Sequence, residues 1–168
     1  MVGRMFRIET GVDKERLRLL RGALRDANRD ASPVLRALQG TPEEREEPLG
    51  VWALDDAGEL VGGLSGYTWG RWLHVSLLWV AEDARGAGLG GRLLADAERL
   101  AAEERGCLNS RLETWDFQAP AFYRQQGYEV VAVIPDYPSP APSPKPGAAP
   151  PGPRFIGAPR LVLKRRTG

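Results

Sequence analysis

The chain has 168 residues, enough for one domain with a proper core, and its 23 Lys and Arg stand against 22 Asp and Glu. That balance, with no aromatics interleaved among basic runs, excludes a nucleic-acid binder, while one Cys and one His exclude an intrachain disulfide and a Cys/His metal site. The N-terminus has no apolar leader segment and the longest apolar stretch, Leu77 to Ala81, is far too short to span a bilayer, so a cytoplasmic protein without metal or membrane is expected.

In chain order, Met5 to Glu9 reads as a short first strand, and Thr10 with Asp13 forms an S/T-x-x-D start signal for a helix. Leu17, Leu20, Leu24 and Ala27 recur at helical spacing along it. A second short helix is predicted over Ser32 to Gln39, with Pro33 in its first turn. Glu43 to Glu47 is an acidic run, either a solvated loop or a surface for a cationic acceptor. Leu49 to Leu54, the turn Asp55 to Gly58 and Leu60 to Trp69 read as a hairpin, and Gly70 turns the chain into a third strand, Arg71 to Val80. Strict alternation along that strand puts Leu73, Val75, Leu77 and Trp79 on one face and His74, Ser76 and Leu78 on the other.

The next segment is the most informative. A strand end at Val80 leads into Arg85-Gly86-Ala87-Gly88-Leu89-Gly90-Gly91-Arg92 and then into an apolar stripe of helical period, Leu89, Leu93, Leu94, Ala97, Leu100 and Ala101, stopped at Gly106. Glycines at 86, 88 and 90 let several backbone N–H groups converge, and the helix N-terminus adds partial positive charge, so the loop reads as a phosphate cradle bracketed by Arg85 and Arg92. Gly86-x-Gly88-x-x-Gly91 also matches the dinucleotide fingerprint, but about eighty residues precede it and the strands before it are hairpin-linked. A Walker loop would need a Gly-Lys-Ser/Thr ending, which this one lacks.

Further strands are predicted over Leu108 to Trp115 and Tyr128 to Ile134, with a helix over Gln118 to Gln126 between them. Pro135 to Pro159 is dense in Pro, Ala, Ser and Gly and reads as an insertion with polyproline or irregular character, either without a role or as a lid. A last strand is expected from Pro159 to Lys164.

Read as Arg85-x-x-Gly88-x-Gly90, the loop resembles the pyrophosphate-binding motif of the GNAT superfamily of N-acyltransferases. The later run Phe117-Gln-Ala-Pro-Ala-Phe122-Tyr123-Arg-Gln-Gln-Gly127-Tyr128 resembles that superfamily's Phe-Tyr helix and the Gly-aromatic pair after it, in the family's order and spacing. The resemblance is nearest to the subgroup with a Trp-rich strand, here Trp72 to Val80, before the loop. It implies an α/β GNAT fold, a mixed sheet in a single domain over residues 1–168, that transfers an acetyl group from acetyl-coenzyme A to an amine by direct attack in a ternary complex. A small-molecule or peptide amine is the implied acceptor, and a homodimer is compatible with the family. A non-catalytic acyl-coenzyme A-binding module of the same fold is the alternative.

The resemblance also implies the site. Arg85, Gly86, Ala87, Gly88, Leu89, Gly90, Gly91 and Arg92 would hold the pyrophosphate, and the backbone of Leu78, Trp79 and Val80, splayed from its neighbouring strand, would pair with the pantetheine arm. Tyr123 stands where the family carries a tyrosine near the cofactor sulfur, and a phenol of pKa about 10 suits protonation of a departing thiolate. Glu113 and His74 are the candidate bases, on strands that the resemblance places along the cleft, with water as the alternative. Trp69, Trp72 and Trp79 could shape an acceptor pocket, with core packing the expectation for at least one.

Overall fold

The computed structural model describes residues 7–135 and 160–166. They divide into two compact units, Met1–Thr41 and Pro42–Gly168.

The first unit holds helices α1 (Lys14–Ala31) and α2 (Pro33–Leu38). The helix start differs in detail from the expected signal. Asp13 itself is the cap, its carboxylate accepting the N–H of Arg16 at 2.9 Å, rather than the partner of a capping Thr10. Ser32 serves both helices: its N–H donates to the Asn28 carbonyl to close α1, and its Oγ accepts from Leu35 N to open α2. Pro33 follows at the first helical position, where its missing N–H costs nothing. The predicted first strand is not found in its described part. Arg7 to Glu9 are irregular, with Arg7 and Arg16 both pairing with Glu9 and, among the described residues, no neighbouring strand to take their backbone groups; residues 5 and 6 lie outside the described residues.

The second unit is a six-stranded mixed sheet in the order β1-β2-β3-β4-β6-β5. Its strands are β1 (Glu47–Leu54), β2 (Leu60–Trp69), β3 (Trp72–Val80), β4 (Asn109–Trp115), β5 (Glu129–Ile134) and β6 (Arg160–Arg166). All neighbours are antiparallel except β3 and β4. That parallel pair is joined by α3 (Leu89–Arg105), as a crossover requires, and the short α4 (Pro120–Gln125) links β4 to β5. Most of the Pro-rich stretch, residues 136–159, lies outside the described residues.

The core lies between α3 and the sheet: Leu93, Leu94, Ala97 and Ala101 of the helix meet Leu49, Leu64, Leu73, Val75, Leu112 and Leu163. Gly62 lets the helix settle on β2, since a Cβ there would stand 3.2 Å from Leu93 and 3.3 Å from Leu89. Gly106 ends α3 in the left-handed conformation at φ +61°. Behind the core, Tyr128 donates its hydroxyl proton to Glu98 Oε1 at 2.7 Å, which leaves Ser110 Oγ, 2.5 Å away, to donate to Tyr128. Arg165 binds the other Glu98 oxygen at 2.9 Å, so a buried carboxylate ties α3 to the C-terminal strand.

Strict alternation fails on β3. Ser65 pairs with Leu77 but Gly66 pairs with Val75, so Ser76 is an extra residue on β3 and the strand bulges there. One unmatched residue reverses the faces of everything beyond it. Leu78 and Val80 therefore join Leu73 and Val75 against the core, while Leu77 and Trp79 turn outward beside His74.

Candidate active site

The site forms where the parallel ladder stops. Pairing between β3 and β4 runs from Trp72↔Asn109 to Val75↔Leu112, yet the strands continue to Val80 and Trp115. Beyond Val75, β3 keeps its bonds to β2 on one edge and, among the described residues, has no ladder partner on the other. Backbone groups without a partner in the sheet are available to an extended ligand.

Next to this opening lies a cleft of about 370 Å³ lined by the end of β3, the loop after it, the start of α3 and α4. Of the residues expected around the cofactor, Leu78, Trp79, Val80, Arg85, Gly86, Gly88, Leu89, Gly90 and Gly91 line it, and so does Tyr123. Ala87 and Arg92 do not: both are exposed, and Arg92 already uses its N–H in the helix, to the Gly88 carbonyl at 3.1 Å. Ala84, Ala119 and Phe122 line the cleft as well, without having been expected from the loop motif.

The glycines divide into two groups. Gly86 and Gly88 sit at φ +81° and +77°, a conformation that side-chain-bearing residues rarely adopt, and they make the turn. Gly90 and Gly91 face the end of α4, where Cβ atoms would meet Phe122 at 3.5 Å and Gln126, the residue that caps α4, at 3.4 Å in ordinary van der Waals contact. Gly88 is also the N-cap of α3 and offers no side-chain oxygen, so the first N–H groups of that helix, on Leu89, Gly90 and Gly91, open toward the cleft uncapped. An uncapped helix start beneath a left-handed glycine turn fits a pyrophosphate. Arg85 adds charge at the rim, its Nε donating to the Val80 carbonyl at 3.0 Å.

Tyr123 is buried and its ring meets Phe122 edge-on at 5.0 Å and Tyr128 at 5.9 Å between centroids. Burial pushes its phenol above the ordinary tyrosine range, which keeps it protonated. His74 and Glu113 do not line this cleft. Both belong to the sheet face turned away from α3, as the burial of alternating neighbours Leu73, Val75, Leu112 and Thr114 requires. His74 stacks on Tyr67 with ring centroids 4.6 Å apart, and desolvation, then Arg111, holds its pKa below the ordinary value. Glu113 forms an ion pair with Arg111 at 3.1 Å. Of the three tryptophans considered for an acceptor pocket, only Trp79 lines the cleft; Trp69 donates Nε1–H to the Glu44 carbonyl at 3.1 Å.

Residues 17–128 match the model of the acetyltransferase (GNAT) family. The chain belongs to the GNAT acetyltransferase family. It is 55% identical over 118 residues, 68% of its own length and 87% of the relative's, to blasticidin-S acetyltransferase of Streptomyces morookaense. An acetyltransferase of Agrobacterium fabrum is 36% identical over 92 residues, 55% of this chain and 66% of that one. The solved structure of an acetyltransferase from Bacillus cereus ATCC 14579 superposes with a TM-score of 0.72 at 25% identity, covering 96% of this chain and 97% of that one. This GNAT chain is thus an N-acetyltransferase dependent on acetyl-coenzyme A, with the α/β fold that the two motifs implied. Among the described residues no helix is long and apolar enough to cross a membrane, and no group of His, Cys, Asp and Glu could hold a metal ion.

Proposed function

We propose that the acceptor is the amine of a small antibiotic molecule, blasticidin S being the first to test, and that it is acetylated by direct attack with both substrates bound together. The 55% identity to blasticidin-S acetyltransferase over 118 residues carries this reading. Acetyl-coenzyme A supplies a thioester acyl group. The N–H groups of Leu89, Gly90 and Gly91 and the turn at Gly86 to Gly88 bind its pyrophosphate, with Arg85 contributing a charge-assisted hydrogen bond. The unpaired edge of β3 at Leu78, Trp79 and Val80 orients the pantetheine arm, and its backbone N–H groups polarise the carbonyl in a preorganised way. Tyr123 holds a proton at its hydroxyl and gives it to the departing thiolate.

The amine proton leaves through water, and His74, outside the cleft on the sheet face that also carries Trp79, is the base that such a water would reach. Its lowered pKa leaves the imidazole neutral near pH 7 and able to accept, whereas Glu113 is held by Arg111. A cytoplasmic location fits the free, buried thiol of Cys107.

The test is an amine panel containing blasticidin S, with release of free thiol as the readout. Thiol release dependent on blasticidin S is expected. Bound coenzyme without thiol release from any amine would overturn the reading.

A further inference from the structure

On the sheet face turned away from α3, Trp52, Gly63 and Trp79 stand in one row across three strands: Trp52 pairs with Gly63, and Gly63 with Trp79. The Trp52 indole is braced from beneath by two glycines. A Cβ on Gly63 would come within 2.7 Å of its Cε3, and one on Gly50 within 2.8 Å of its Cζ2. The ring therefore lies flat over the bare backbone of β1 and β2, with its other face outward. Trp52 is 60% exposed and Trp79 50% exposed. Two indoles held outward are unusual for apolar side chains of this size, and the second reaches this face only through the β3 bulge.

The row is continuous with the cleft, because Trp79 belongs to both. It spans three strands, about 10 Å, which suits a single heterocycle and falls far short of the roughly 800 Å² per partner of a stable protein interface. Aromatic faces attract flat π-systems by stacking, and a rigid indole loses little freedom in doing so.

We propose that Trp52 and Trp79 form an acceptor platform that takes a flat, delocalised ring of the acceptor and so leads its amine toward the opening between β3 and β4. This rests on the reading that the acceptor is a small-molecule amine. Trp52 is the specificity-determining residue: it lies outside the cofactor cleft, so its loss affects the ring-bearing acceptor alone. A ring-free amine of similar reach gains nothing from the platform.

The test compares aminoethyladenine with butylamine in the wild-type chain, Trp52→Ala, Trp52→Leu and Trp52→Phe. With aminoethyladenine, KM should rise about 5- to 100-fold in the Ala and Leu variants, the equivalent of losing one stacked ring, and recover in the Phe variant. Butylamine turnover and coenzyme A affinity should not change. The Leu variant keeps apolar cover over the two glycines should the Ala variant fold poorly. Binding is read separately through indole fluorescence, which aminoethyladenine should quench in the wild type and quench less in Trp52→Ala. If no amine releases thiol, the acceptor reading fails, but the quenching still decides the platform. Absence of quenching, or an equal loss with both amines, would overturn it.

Discussion

The backbone carbonyl of His74 occupies the space that a β-carbon on Gly66 would need. They are diagonal neighbours across β2 and β3 beside the bulge, Gly66 pairing with Val75 and His74 with Tyr67, just past the point where the register jumps from Ser65↔Leu77 to Gly66↔Val75. Backbone cannot rotate out of the way as a flexible side chain can, so Gly66→Ala should destabilise the chain by about 1–3 kcal/mol, the usual cost of overpacking a tight site. Denaturant melting checks this. An unchanged midpoint would mean that the strands separate at no cost, and the bulge would lose its role in turning Trp79 outward.

That bulge also marks the limit of what the sequence discloses. Local patterns carried much of the fold: the apolar stripe from Leu89 to Ala101 with Gly106 after it gave α3, and Asp55 to Gly58 gave the hairpin between β1 and β2. The face reversal on β3 could not be read there, because it depends on which residue of β2 each residue of β3 meets. The insertion of β6 between β4 and β5 is likewise a long-range pairing without a local signature. In the site, the Arg85-to-Gly91 loop was legible because glycine spacing is a backbone property. Phe122 lining the cleft, Arg92 lying outside it and Trp52 braced on Gly50 and Gly63 were not, since each depends on packing between distant elements.

The cofactor loop makes a separate prediction. Coenzyme A or acetyl-coenzyme A should raise the melting temperature, with about 2.7 kcal/mol added at a hundred times the dissociation constant, and NAD should not. Gly88→Val should abolish the shift, because φ +77° strains a β-branched residue at the point where the helix start must stay open. Arg85→Ala should weaken binding by about 1.5–3 kcal/mol if its guanidinium holds the pyrophosphate. Equal stabilisation by NAD would contradict the reading of the loop.

His74 predicts a pH dependence with a definite sign. Its pKa in the folded chain lies below the unfolded value of about 6.5, through burial first and Arg111 second, so the unfolded chain binds the proton more readily. The stability it contributes is fully present above about pH 6.5 and is lost as pH falls through the folded value. His74→Gln, which cannot titrate, should flatten that part of the stability curve on the acid side of neutrality. Parallel curves for the two proteins would show that the imidazole titrates alike in both states.

Tyr123 offers the sharpest test of the chemistry. Its hydroxyl can be removed without changing the ring that packs edge-on against Phe122 and Tyr128, so Tyr123→Phe should keep fold and coenzyme A affinity. If the phenol protonates the departing thiolate, kcat should fall about 10²–10⁴-fold, the usual worth of general acid catalysis. Because burial raises the phenol's pKa, the wild-type rate should hold through the neutral range and decline only on the far alkaline side, and that limb should vanish in the variant. The comparison must be made where chemistry rather than product release limits the rate, which single-turnover measurement secures. A Tyr123→Phe chain with wild-type single-turnover rate would remove the phenol from the reaction and leave the proton to come from solvent or from the acceptor's own ammonium.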